Sequence, residues 1–140
     1  MELTDNVIPA SNSSMAKCLF YLGHYLDKKE YIEISEQMLN NVYANIQQGG
    51  SWHSNWLELS LHLTQSFYEV AIVGKVAYKK RAELEANYRP NKMLVGGKKE
   101  NGLPLLENKS VDGETYIYVC VDKACQMPTT DVAEALKQIQ

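Results

Sequence analysis

The chain has 140 residues, 45% of them hydrophobic, with 17 acidic and 14 basic side chains and a net charge of −3. This length allows one domain or two small subdomains with a real hydrophobic core. The slightly acidic balance supplies no basic field for DNA or RNA. No apolar run approaches the ~20 residues that a membrane-spanning helix needs. We therefore expect neither a nucleic-acid partner nor a membrane.

The N-terminal residues and the cysteines bear on the compartment. Met-Glu-Leu-Thr-Asp lacks the basic and apolar segments of a secretory signal. The three cysteines are an odd number, so a full disulfide framework is excluded. Both features favour a reducing cytoplasm, where thiols stay free. We expect a cytoplasmic protein.

Residues 1–67 carry helical periodicity and are predicted to form one helical segment. Ser11 or Asn12 is the predicted N-cap of the first helix, and a polar connection near residues 27–29 implies an antiparallel hairpin with the second. The third helix, about 54–65, is apolar around much of its circumference and should be well buried. The apolar positions are Met15, Cys18, Leu19, Leu22 and Leu26 in the first helix, Tyr31, Ile34, Met38, Val42 and Ile46 in the second, and Trp56, Leu59 and Leu63 with Leu57 and Leu61 in the third.

Residues 68–140 are predicted to form a small α/β subdomain. The first β-branched run is continuous, as in a strand covered on both faces, and a strand–helix–strand order within about 30 residues is typical of a βαβ unit. The last helix has Asp131 as its cap, with Glu134 completing a capping box. The predicted order is a strand at 69–74, a helix at 76–88, strands at 92–97 and 115–121, and the last helix. The fold class is therefore mixed α and β, with antiparallel helices followed by a three-stranded βαβ-β-α subdomain.

Two clusters at helix starts contain candidate ligand-binding residues. Trp52, His53 and Trp56 could line a sugar pocket, because aromatic faces stack on ligands and polar groups orient them. The alternative is a loop whose tryptophans cover the helical hairpin. Asn12 and Ser13 lie at a helix N-terminus, where amide donors serve a ligand site or simply a cap.

Cys120 and Cys125 are separated by four residues at a strand end. A zinc site needs about four ligands and the histidines are distant, so no metal is expected. The loop between the cysteines can bring them together as a redox pair. Because Lys123 is the one positive neighbour, the expectation is reduced, weakly reactive thiols that pack as small hydrophobic groups.

Two glycine pairs follow predicted strands. Gly74-Lys75 and Gly96-Gly97 stand where α/β folds bind phosphate. Neither matches a Walker sequence or GxGxxG, so they are interpreted as turn glycines. No Gly-x-Ser-x-Gly elbow is present. The sequence implies no cofactor and assigns no reaction.

Four segments carry a resemblance that covers nearly the whole chain. The most specific is Tyr118-Val119-Cys120 followed by Cys125-Gln126-Met127-Pro128 and Asp131. It is similar to the Tyr-Val-Cys…Cys-Gln-x-Pro-x-x-Asp signature of a thioredoxin-domain-containing family, typified by spermatogenesis-associated protein 20 and its bacterial relatives. The other segments are Pro9-Ala10-Ser11-Asn12-Ser13, Leu26-Asp27-Lys28-Lys29-Glu30-Tyr31 and residues 69–74. The region of residues 52–55 does not clearly match the family.

The resemblance implies an N-terminal thioredoxin-like domain followed by an (α/α)6 toroid related to N-acylglucosamine 2-epimerases and six-hairpin glycosidases. This chain would hold the last toroid helices and the small α/β end. We therefore expect a C-terminal fragment or domain of a protein linked to carbohydrate metabolism, not catalytic alone. Its expected partners are the missing N-terminal portion or a second copy bound through the helical half, and a small sugar is the expected ligand. Two alternatives remain, a redox-associated module that uses the cysteine pair with a thioredoxin-like partner, and a structural or interaction domain.

Overall fold

A computed structural model describes residues 2–140 as mixed α and β, which confirms the predicted fold class. The chain forms two compact units, one ending at Gln65 and the other covering Ser66–Gln140. The first unit contains α1 (Ser11–Leu26), α2 (Lys29–Gln48), a 3-10 turn (Gly50–His53) and α3 (Ser54–Thr64). The second contains β1 (Tyr68–Val73), α4 (Ala77–Glu85), β2 (Lys92–Gly97), a 3-10 turn (Pro104–Leu106), β3 (Tyr116–Val121), β4 (Ala124–Cys125) and α5 (Val132–Gln138).

Small residues allow α1 and α2 to pack closely. A Cβ atom added at Gly23 would lie 2.4 Å from Cγ1 of Ile32, so a larger residue would force the packing between the helices to shift. Elsewhere in the same helix pair, the Ser35 hydroxyl of α2 donates to the carbonyl of Ala16 in α1 at 2.7 Å. The hairpin turns at Asp27, which ends α1 in the left-handed conformation with φ 54°. The side of α1 that contacts α2 is therefore a close-packed surface of small side chains.

The buried side of α1 differs from the stripe that its periodicity indicates. The buried residues are Ser13, Ala16, Phe20 and Gly23. Met15, Leu22 and Leu26 are 55%, 44% and 42% exposed. The expectation that α3 is well buried is also wrong on one side, because Leu57 and Leu61 are exposed. Both helices thus have a second apolar side that the chain leaves in solvent.

The second unit is built on a four-stranded sheet in the order β2-β1-β3-β4. β1 pairs in parallel with β2, as a βαβ unit requires, and antiparallel with β3. Every residue of β1 is buried, in agreement with its continuous apolar run. The predicted three strands were one too few, because β4 has only two residues, both exposed, and leaves no alternating pattern to read.

One face of the sheet forms the main core of this unit. Side chains of β1 and β3 pack there against α4 and α5. The core residues are Tyr68, Val70, Ile72, Ala77, Leu84, Ile117, Val119, Ala135 and Ile139. Because side chains alternate along a strand, Glu69 and Cys120 belong to the opposite face.

The start of α5 is capped, but not by the predicted capping box. Oδ1 of Asp131 accepts the backbone N–H of Ala133 at 3.0 Å, as expected for an N-cap. Glu134 does not reach back to the cap and instead pairs with Lys137 at 2.6 Å. The backbone N–H of Asp131 donates to the hydroxyl of Thr129. Within residues 2–140, no helix has the length and hydrophobicity needed to cross a membrane.

Candidate functional site

A buried carboxylate, Asp5, ties together the starts of two helices in the first unit. Its Oδ1 accepts the backbone N–H of Ala10 at 2.9 Å and the hydroxyl of Ser13 at 2.8 Å. Its Oδ2 accepts the backbone N–H of Asn55 at 2.8 Å. Burial acts to raise the pKa of Asp5, but these hydrogen bonds outweigh it and bring the pKa below its ordinary value. Asp5 therefore serves as an ionised cap supplied from outside both helices.

The predicted N-cap of α1 is wrong for this reason. The N-cap position is Ala10, which has no capping side chain, and Asp5 accepts the backbone N–H of Ala10 itself. Asn12 donates through Nδ2 to the carbonyl of Glu2 at 2.8 Å. Asn12 and the fully buried Ser13, both proposed as ligand groups, are thus bonded to the N-terminal segment.

The aromatic cluster beside this cap is also largely internal. Trp56 is 1% exposed, and its Nε1–H donates to the carbonyl of Leu3 at 2.8 Å. His53 is 3% exposed, with Nδ1 2.8 Å from the carbonyl oxygen of Gly49. Its Nε2 is buried and has no hydrogen-bond partner within residues 2–140. Trp52 alone of the three is largely exposed. The fold brings these residues together, and Nε1 of Trp56 and Nδ1 of His53 are already engaged in hydrogen bonds within the chain.

The two late cysteines form a disulfide, so the expectation of reduced thiols is wrong. Their Sγ atoms are 2.05 Å apart. Cys120 and Cys125 are directly opposed in the β3–β4 pairing, across a two-residue turn in which Asp122 and Lys123 have φ of 47° and 67°. This conformation is that of a tight hairpin turn. The proximity of the two cysteines was predicted, but their state was not, because the prediction of reduced thiols was argued from charged neighbours and not from the strand register that opposes them.

The two sulfurs lie in unequal surroundings. Cys120 is fully buried, whereas Cys125 is exposed. Glu69, which is 3% exposed, is the register partner of Cys120 on β1. Its Oε2 accepts the backbone N–H of Lys123 in the turn at 3.0 Å. A buried carboxylate, a disulfide and the turn between the two cysteines thus form one cluster, which we call the hairpin site.

A polar network between α1 and α3 was missed by the sequence reasoning. Nζ of Lys17 lies 2.6 Å from Oε2 of Glu58, and Nε2 of His62 lies 3.6 Å from Oε1 of the same carboxylate. The Tyr21 hydroxyl is 3.3 Å from Nε2 of His62. Burial lowers the pKa of His62, and the charge of Glu58 opposes this shift. The pKa of Tyr21 is raised, mainly by burial and to a smaller extent by the charge of Glu58. The sequence contained a signal for this network, because Lys17 and Tyr21 in α1, and Glu58 and His62 in α3, are each spaced i, i+4 and so lie on one side of their helix.

Two clefts lie at the end of the sheet where the parallel strands finish. One, of about 350 Å³, is lined by Lys75, Lys98 and Lys99 but also by Asp112 and Glu114, so its charge is mixed. The other, of about 240 Å³, lies between α4 and β2.

The glycines at these strand ends are required by close contact. A Cβ atom at Gly74, where φ is 137°, would lie 2.4 Å from the carbonyl oxygen of Glu114. One at Gly96 would lie 2.0 Å from the carbonyl oxygen of Ile72. Both positions need glycine for packing and backbone conformation. Gly74 follows β1 as a turn glycine, as predicted, whereas the turn interpretation of Gly96-Gly97 is wrong because both residues lie within β2 and pair with Ile72 and Val73.

The fold and these clusters define the chain as a helical unit joined to a small α/β unit with a cross-strand disulfide. Among the described residues, no group of three or more His, Cys, Asp or Glu side chains is placed to hold a metal ion. Comparisons with protein-family models, curated proteins and solved structures gave no match.

Proposed function

We propose that this chain is the C-terminal end of a toroidal protein of the family that its sequence resembles. In this proposal it completes a ring of helices and is not catalytic alone. The observation that supports the proposal is the apolar stripe, which we define as Met15, Leu22 and Leu26 on the exposed side of α1.

The stripe has the composition of a helix–helix interface. Its three residues are spaced i, i+7 and i+11, so they lie along one side of the helix. The opposite side of α1 is already packed on α2 through small residues. In a ring of helical hairpins each helix contacts neighbours on two sides, and this requirement explains an apolar side that the chain itself does not cover.

The second apolar side of α3 supports the same proposal. Leu61 is 61% exposed and Leu57 is 41% exposed, although Trp56 and Leu59 on the other side are fully buried. Covering apolar surface stabilises an assembly by roughly 25 cal/mol per Å², and contiguous apolar patches mark association sites. The proposed partner is the preceding helices of the same ring, and a second copy takes their place when they are absent.

The upstream reading frame provides the experiment. We expect it to encode further helical hairpins preceded by a thioredoxin-like domain, and that polypeptide, produced separately, to bind this chain. Leu22→Glu should abolish the complex, whereas Tyr88→Glu, at an exposed position of the second unit, should not. A reading frame without such segments, or a complex that tolerates Leu22→Glu, would overturn the proposal. Sugar binding is expected in the complex and not in the isolated chain.

A second candidate function is thiol–disulfide exchange, which the exposed Cys125 of the hairpin site favours. Here the pair exchanges electrons with a thioredoxin-like dithiol. Equilibration in glutathione buffers followed by alkylation tests it. Reversible pairing near the thioredoxin potential of about −270 mV supports exchange. A bond that stays oxidised across cytosolic potentials would show that the disulfide is structural.

A further inference from the structure

The unequal surroundings of the two sulfurs define a direction of exchange at the hairpin site. We propose that an external thiolate attacks the exposed Sγ of Cys125, that the buried Cys120 is the leaving sulfur, and that Glu69 is a positioning residue that holds the turn between them. The inference rests on the exchange function proposed above and names the atoms that carry it.

Access decides which sulfur is attacked. An attacking thiolate must approach a sulfur from the side opposite the bond that it breaks, so its rate depends on how open that sulfur is. Cys125 is exposed on the two-residue edge strand β4, whereas Cys120 is fully buried on β3 between β1 and β4. Attack at Cys125 needs no opening of the sheet, and attack at Cys120 does.

Glu69 holds the turn that keeps the sulfurs opposed. It lies directly across from Cys120, and opposed residues on neighbouring antiparallel strands have Cβ atoms about 4.5–5.5 Å apart. Its carboxylate accepts the backbone N–H of Lys123 at 3.0 Å. Because that bond does not involve the disulfide, it persists when the disulfide is broken. The reduced hairpin therefore keeps its two thiols close enough to pair again.

The charge of Glu69 acts on the leaving sulfur. A carboxylate disfavours a second negative charge beside it, so Cys120 takes up a proton after it leaves. The same charge makes Cys120 a slower leaving group, so the direction of attack depends on access and not on the charge of Glu69. The turn itself contains two charged residues, Asp122, which is exposed, and Lys123, whose backbone N–H donates to Glu69. From α5, Glu134 and Lys137 are exposed, pair with each other, and belong to a helix packed on the other face of β3.

The electron balance is that of dithiol exchange. The reductant's thiolate bonds to Sγ of Cys125, and the Cys120–Cys125 bond breaks with its electron pair on Sγ of Cys120, which takes a proton from water. The second thiolate of the reductant then displaces Sγ of Cys125, which also takes a proton. Two electrons pass from the external dithiol to the protein, and the reductant leaves as a disulfide. The two protons that the dithiol releases to water when it ionises balance the two that the protein thiols take up.

Mapping of the mixed disulfide tests the direction in the full chain. Cys18, which is exposed and not in a disulfide, is replaced by serine in every sample so that it cannot react. The folded protein is treated with excess reduced glutathione, quenched with acid and mapped by mass spectrometry. We expect glutathione on Cys125 to exceed that on Cys120 at least about tenfold. Equal labelling, or an excess on Cys120, would overturn the direction.

A second measurement isolates the role of Glu69. In the Cys125→Ser protein, the pH midpoint of the Cys120 thiolate absorbance is compared with and without Glu69→Gln. The amide oxygen of glutamine can still accept the Lys123 N–H, so the turn stays while the charge is lost. We expect the midpoint to fall by about one pH unit, and an unchanged midpoint would remove Glu69 from the proposal. The mapping requires reaction with glutathione, so the absence of any mixed disulfide would refute both the exchange function and its direction. The thiolate midpoint is measured without the disulfide and therefore tests Glu69 separately.

Discussion

Cys120 and Cys125 are joined across the tightest connection in the second unit, with only four residues between them. Such a short loop loses little conformational entropy when it is closed, so the bond adds less stability than a disulfide across a long loop. This favours a bond that can break without unfolding the protein. The size of the stability contribution of the disulfide therefore distinguishes the proposed exchange role from a purely structural role.

Reduction is therefore expected to lower the free energy of unfolding by only about 2 kcal/mol, the chain-entropy value for a loop of this size. Urea unfolding of the Cys18→Ser protein with and without dithiothreitol measures it. Native circular dichroism should persist after reduction. Loss of the fold on reduction would instead show that the disulfide is a structural staple.

Asp5→Ala is expected to destabilise the first unit by about 2–3 kcal/mol, because it leaves three donors without their buried acceptor. Asn12→Ala, at a partly buried position whose amide bonds Glu2, serves as the matched control and should cost less than about 1 kcal/mol. Chemical denaturation at neutral pH measures both. Similar losses in the two variants would contradict the capping role of Asp5.

The lowered pKa of Asp5 predicts the direction in which the stability of the fold changes with pH. The pKa of Asp5 in the folded chain is below its ordinary value of 3.8, so the unfolded state binds more protons at acid pH. The stability that Asp5 contributes is therefore present above pH 3.8 and is lost as the pH falls through the folded value. Asp5→Asn should reduce this acid-dependent loss, as measured by urea midpoints across the acid range. An unchanged profile would mean that other carboxyls cause it.

The network between α1 and α3 predicts the direction of a change in the pKa of His62. Burial lowers the pKa of His62, and Glu58 partly offsets this. Glu58→Gln should therefore lower the pKa of His62 further, which a nuclear magnetic resonance titration of the imidazole would detect. A rise in the pKa of His62 in this variant would contradict the contact with Glu58.

Part of the fold was readable from the sequence because periodicity reports local structure. The run at 69–74 and the cap at Asp131 depend on nearby residues, and both were predicted. The face by which α1 packs was not, because close packing selected Ala16 and Gly23 over the larger Leu22. Periodicity locates an apolar side, but it does not say whether that side is covered within the chain or by a partner.

The internal partners of the candidate site residues could not be predicted for a related reason. Ser13 and Trp56 have the chemistry of ligand groups, but their partners are Asp5 and Leu3, which are distant in sequence. A single sequence does not show that an N-terminal segment lies across two helix starts. Predicting the disulfide likewise required the register of β3 and β4. That register is set by a two-residue turn, and amino-acid composition does not reveal it.

The mass of the chain in solution tests the proposed ring-completing role most directly. Without the preceding helices, the apolar stripe should drive self-association, so light scattering at high micromolar concentration should give a dimer or a larger species. Leu22→Glu should convert it to a monomer, and Tyr88→Glu should not. A wild-type monomer at that concentration, or an assembly that survives Leu22→Glu, would contradict the assignment of the stripe as a helix–helix interface.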